Sequence, residues 1–169
     1  MTIVQWIGPA LAILAATLIC APPWGAAGDL KLVQPLLPYV VIHLMTERRG
    51  EVVPDWLVFL AGFATDVAGQ GPLGFWALIY LSGYTMVRSV TAAHPLRAMS
   101  GAAFFAVTLA CLVVMQWSAA SIYYLRGVEI TPLIVAAAVA FFVYAVLAVL
   151  IPRSAKEPAR FNDRLERGI

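Results

Sequence analysis

Apolar residues fall along this chain in six long blocks, each closed by glycine, proline or charge, and none alternates apolar with polar at a sustained period of two. The blocks predict helices over about Ile3–Ala21, Leu32–Thr46, Pro54–Ala68, Leu73–Val90, Ala98–Tyr124 and Pro132–Ile151. Prolines punctuate them. Pro9 lies near the start of the first block, and Pro22 and Pro23 end it. Pro35 and Pro38 fall in the first turns of the second, where proline is tolerated or kinks a helix, so that segment is expected to be short, distorted or partly re-entrant at its start. Pro54 suits a first-turn position. Thr131 followed by Pro132 reads as an N-cap and a first-turn proline, and Pro152 stops the last block. The fifth block is longer than a bilayer needs, which implies tilt or protrusion.

Composition turns this pattern into a class. Of 169 residues, 62% are hydrophobic and 12% charged, against roughly 25% charged in a soluble domain. Apolar runs of about 18 residues or more read as membrane spans. In lipid every backbone polar group needs a partner within the chain, and without strand-like alternation that selects helices over a barrel. The expected fold is therefore all-α: a polytopic six-helix transmembrane domain over residues 1–152, then a charged cytoplasmic tail over 153–169. The stretch before the first block has no Lys or Arg, and Thr17, Leu18 and Ile19 supply no small residue before Cys20, so an uncleaved first helix is expected rather than a signal peptide. Cys20 and Cys111 sit singly in apolar runs as small filler, with no spacing suited to metal or redox chemistry.

Charge placement orients the bundle. With six spans, one side receives Arg48, Arg49, Arg88, Arg97, Arg153, Lys156, Arg160, Arg164 and Arg167, nine of the eleven Lys and Arg, while Lys31 and Arg126 fall opposite. The positive-inside rule then puts both termini in the cytoplasm. Trp6, Trp24, Trp56, Trp117, Tyr123 and Tyr124 lie near helix ends, as interfacial anchors do.

One stretch stands apart. Between Asp55 and Arg88 the only formal charge is Asp66, followed at once by the glycine turn Gly69, Gly71 and Gly74. An ionisable group at the end of a membrane-length apolar run is costly and marks a candidate site. Either Asp66 accepts hydrogen bonds from free backbone amides around Gly69–Gly74, or it contacts a partner or ligand; the two roles are compatible. Ala61, Thr65 and Gly69 recur every four residues, as do Gly62 and Asp66, giving a flat small-residue face that a partner helix could approach closely. His43 sits near the opposite end of its helix from Asp66's level, which argues against a relay and for a core or interfacial hydrogen bond. No phosphate loop, metal-spaced cluster or nucleophile–base set is present, so neither an enzyme nor a bound cofactor or metal is expected. In the tail, Phe161, Leu165 and Ile169 share helical spacing beside Arg160, Arg164 and Arg167; with Arg48 and Arg49 they form the candidate cytoplasmic contact, unless the tail is simply solvated.

The segment Phe59 to Leu78, with Gly62, three residues, Asp66, a turn of small residues, then Leu73-Gly74 before the next helix, resembles the signature of MreD, the rod-shape-determining membrane protein family of bacteria. The length, the six apolar runs and the Arg48-Arg49-Gly50 cluster also fit. The resemblance implies a non-enzymatic scaffold of the cell-wall elongation machinery in the inner membrane. Its implied partners are MreC, the glycosyltransferase RodA with its transpeptidase, and MreB filaments, directly or indirectly; membrane lipid surrounds it, a homo-oligomer is compatible, and nucleic acid is not expected. Gly62, Thr65, Asp66, Gly69 and Gly74 would bind a partner or structure the turn. The helical layout also looks like the six-helix substrate-binding subunits of energy-coupling-factor vitamin transporters. That leaves an alternative, a small-molecule binding subunit of a transporter, for which Asp66, Gln34, Gln70 and Gln116 would be the polar groups.

Overall fold

The computed structural model describes residues 4–20, 33–49, 53–70, 72–92, 100–125 and 127–151, with the backbone alone at 4–6, 48, 49 and 92. Among them six helices follow in order and there is no strand: α1 Val4–Cys20, α2 Leu36–Arg49, α3 Asp55–Gly69, α4 Phe75–Ala92, α5 Gly101–Tyr124 and α6 Thr131–Leu150. The domain boundary expected at residue 152, the tail with Phe161 and Leu165, and the segments holding Trp24, Lys31, His94, Arg97 and Arg126 lie outside the described residues.

Several boundaries differ from the sequence expectation. α2 begins at Leu36, after a turn over 33–35, and runs on through Glu47, Arg48 and Arg49, which read as loop from their charge. These residues are good helix formers, and charge alone does not end a helix. Pro54 is the N-cap of α3 rather than its first turn. At α6 the N-cap is Ile130, with no side-chain cap hydrogen bond, so Thr131 and Pro132 are the first two helical residues. α5 starts at Gly101, three residues later than expected, behind the N-cap Ser100, whose hydroxyl accepts from Ala103 N at 3.2 Å.

α2 is the buried centre, packed against α1, α4 and α6. Tyr39, Val40, Ile42, His43 and Leu44 are all fully buried along it. α3 and α4 form the most extensive helix pair, joined by the glycine turn. A ladder on α4 ties it to two chain segments. The Tyr80 hydroxyl donates to Pro35 O just before α2, the Tyr84 hydroxyl donates to Val53 O at 2.7 Å, and Arg88 pairs with Asp55 at 3.1 Å.

The core is apolar, yet much of the exterior is apolar too. Leu11, Leu18, Phe142, Val149 and Leu150 are each more than half exposed, whereas Thr46, Asp66, Thr108 and Gln116 are buried. The buried threonine hydroxyls turn back onto their own helices: Thr17 onto Ile13 O, Thr46 onto Ile42 O and Thr65 onto Ala61 O, at 2.7–2.9 Å. Two helices, α5 and α6, are long and apolar enough to cross a membrane.

Candidate functional site

Asp66 sits in the last turn of α3 and acts on both sides of the turn. Its backbone carbonyl accepts from Gln70 N, which caps α3 with Gln70 in the left-handed region at φ 52°. Its carboxylate receives the start of α4. Oδ2 accepts from Gly74 N at 2.9 Å and from Ala77 N at 3.4 Å, and Oδ1 accepts from Trp76 N at 2.8 Å. The amides at a helix start have no partner within the helix, so a carboxylate there satisfies them and meets the positive end of the helix dipole. Gly74 has φ +93°, a conformation that favours glycine and lets the chain turn into α4 beneath the carboxylate. Asp66 is 1% exposed.

Gly62 lies one turn earlier on the same face. A Cβ there would collide with the Ala77 backbone and come within 2.8 Å of Trp76 C. The missing side chain is what brings α3 and α4 backbone to backbone, and this closeness lets the Asp66 carboxylate reach the Gly74 amide and two α4 amides. Thr65 completes the group: its hydroxyl donates to Ala61 O and stands 3.4 Å from the Tyr80 hydroxyl. Thus Gly62, Thr65, Asp66 and Gly74 meet at one place; Ala61 and Gly62 are both buried within the chain, Gly62 against the α4 backbone. Gly69 is the exception. It is exposed, and a Cβ there would have open space around it.

Beside this turn lies a cavity of about 560 Å³, lined by Thr65, Gln34, Gln70, Trp76, Gln116 and Tyr123 among others. The sequence had singled out the three glutamines as scattered polar residues; the fold gathers them. The ends of α1, α3 and α5 and the starts of α4 and α6 all contribute to its wall. Gln116 is 4% exposed, and its Oε1 has no protein hydrogen-bond partner.

At the opposite end of α2, His43 makes the core hydrogen bond expected of it, within a cluster whose other members, Glu47, Thr108 and Tyr144, the sequence reading missed. His43 is fully buried, with Nδ1 3.3 Å from the Thr108 hydroxyl and Nε2 3.9 Å from Glu47 Oε2. Glu47 Oε2 accepts from the Tyr144 hydroxyl at 2.7 Å. The Tyr144 ring stacks on Phe105 with centroids 4.1 Å apart, and His43 meets Phe105 edge-on. This joins α2, α5 and α6 through side chains. The signal was available: His43 and Glu47 are four residues apart, one above the other once α2 is extended to Arg49. The Arg48 and Arg49 side chains lie outside the described residues. Among the described residues no group of three or more His, Cys, Asp or Glu is placed to hold a metal ion.

Trp56, Trp117, Tyr123 and Tyr124 are exposed near helix ends, and Trp117 Nε1 donates to Val128 O at 2.9 Å. No family model, curated protein or solved structure matches this chain.

Proposed function

We propose that this chain is a multi-pass inner-membrane scaffold of the bacterial elongation machinery, related to MreD and acting by binding MreC. The observation that carries the reading is the α3–α4 turn. The residues that make up the MreD-like pattern are the ones whose chemistry closes it: glycine for backbone contact, carboxylate for the α4 amides, glycine for the positive φ. A physical role at three of its positions, Gly62, Asp66 and Gly74, supports the resemblance more than hydropathy alone does.

In this reading all six helices cross the bilayer. The termini are cytoplasmic, and the Asp66 turn faces outward. The apolar exterior of α1, α3 and α6 supports burial in hydrocarbon. The small-residue face of α3 is occupied by α4, so a partner helix has to meet outward side chains such as Phe59, Phe63 and Val67. RodA, its transpeptidase and MreB would be reached through MreC or directly. The transporter reading gains from the cavity, which gathers Gln34, Gln70 and Gln116.

The test is replacement of the chromosomal copy by a tagged one, followed by depletion. The expected result is rounding of rod-shaped cells and recovery of MreC with the tagged chain from detergent extracts. Cells that stay rod-shaped, with no MreC recovered, would sink the scaffold.

A further inference from the structure

We propose that the cavity beside the Asp66 turn is a binding site for an uncharged ligand with an apolar or aromatic body and a hydroxyl or amide N–H donor. The inference stands apart from the scaffold reading and needs no partner protein. About 560 Å³ lies within the range of small-molecule sites, roughly 300–1,000 Å³.

The lining fixes the chemistry. Among the described residues that line the cavity there is no Lys, Arg, His, Asp or Glu. The Asp66 carboxylate, at the neighbouring turn, has both oxygens engaged by the amides of Gly74, Trp76 and Ala77. Among these described residues an anion finds no countercharge and a cation no available carboxylate, so a charged ligand would lose its hydration to them without return. A neutral one finds aromatic surface on Trp76 and Tyr123 and the carboxamides of Gln34, Gln70 and Gln116.

Gln116 points to a ligand more directly. Ninety-six per cent of this residue is shielded, and its Oε1 accepts from no protein donor. Buried polar atoms are normally satisfied, and an unpaired one is a cost that a bound donor removes. A leucine would fill the same volume on an apolar helix such as α5. A carboxamide there is explained by a ligand hydroxyl or amide N–H.

Two sources share this chemistry: a membrane lipid with an uncharged head, and a neutral water-soluble heterocycle. The experiment separates them. The full chain, purified in detergent, is melted with dioleoylglycerol and, separately, with riboflavin, and its native mass is measured for a co-purified molecule. The expected result is a rise in Tm of about 5 °C or more with one of the two at saturation. That rise should vanish in Gln116→Leu and in Ala120→Trp, the second of which fills the cavity from its wall. Should Gln116→Leu fail to fold, Ala120→Trp carries the comparison. A shift with dioleoylglycerol assigns the site to lipid, and one with riboflavin to a soluble solute. Bare native mass with no shift from either compound overturns the proposal. An equal shift in wild type and Ala120→Trp also overturns it.

Discussion

Asp66 serves two helices at once, closing α3 with its carbonyl and opening α4 with its carboxylate. Asp66→Ala would leave the amides of Gly74, Trp76 and Ala77 without an acceptor. Each charge-assisted hydrogen bond contributes about 1.5–3 kcal/mol, and the three share one acceptor group, so a loss of about 3–4 kcal/mol is expected. Asp66→Asn keeps one oxygen of similar shape and should lose about half as much. Thermal unfolding of both variants in detergent checks the order; equal losses would show that the carboxylate is not the cap that matters. The same logic applies to Tyr144. Tyr144→Phe keeps the stack on Phe105 and removes the donor to Glu47. It should cost about 1–2 kcal/mol. Adding Glu47→Gln should then cost little more if the two groups act as a pair, which a double-mutant cycle on Tm measures.

At the scale of elements, the α3–α4 hairpin was largely legible in the sequence, and its contact face was not. Spacing placed Gly62 and Asp66 on one helical face, and glycine placed the turn. Spacing could not say whether that face meets a helix of this chain or of another. The Gly62 contact with Ala77 settles the point, because backbone cannot move aside as a side chain can. Gly62→Ala should therefore separate α3 from α4 and cost about 1–3 kcal/mol by overpacking. Gly69→Ala has open space and should be neutral or slightly stabilising, since glycine is the weaker helix former by about 1 kcal/mol. A pair of melting curves tests this contrast; similar losses at both positions would contradict the backbone contact. α2 was the least legible element. Its prolines suggested a short span, irregular at its start, and it is short, beginning at Leu36 after a turn; what they did not suggest is that it is the central helix, with buried residues on nearly every side. Burial of that kind is set by how neighbours pack, and the continuous apolar run of Leu36–Ile42 carries no periodicity to announce it. Its charged end hid the His43–Glu47 spacing as well.

For the whole molecule, the question is how many of the six helices cross the bilayer. α5 and α6 are long and apolar enough by themselves. α4 is the informative case. Its 18 residues reach about 27 Å at 1.5 Å per residue, close to the roughly 30 Å hydrocarbon core. Its polar side chains lower its hydropathy, yet Tyr80, Tyr84 and Thr91 donate to carbonyls inside the chain, and Arg88 pairs with Asp55 near its end. A helix whose polar groups are satisfied internally can cross lipid without looking like a span by composition. Leu73 and Ser89 are exposed near its two ends. In a Cys20→Ser, Cys111→Ser background, Leu73→Cys should react with a membrane-impermeant maleimide added outside spheroplasts. Ser89→Cys should react only after permeabilisation. The reverse pattern would invert the orientation set by the positive-inside rule and put the Asp66 turn in the cytosol, where it could not meet the extracytoplasmic part of MreC. Labelling of both from one side would remove α4 as a span, leave the flanking helices without an alternating path, and with it dismantle the six-span bundle on which the scaffold proposal rests.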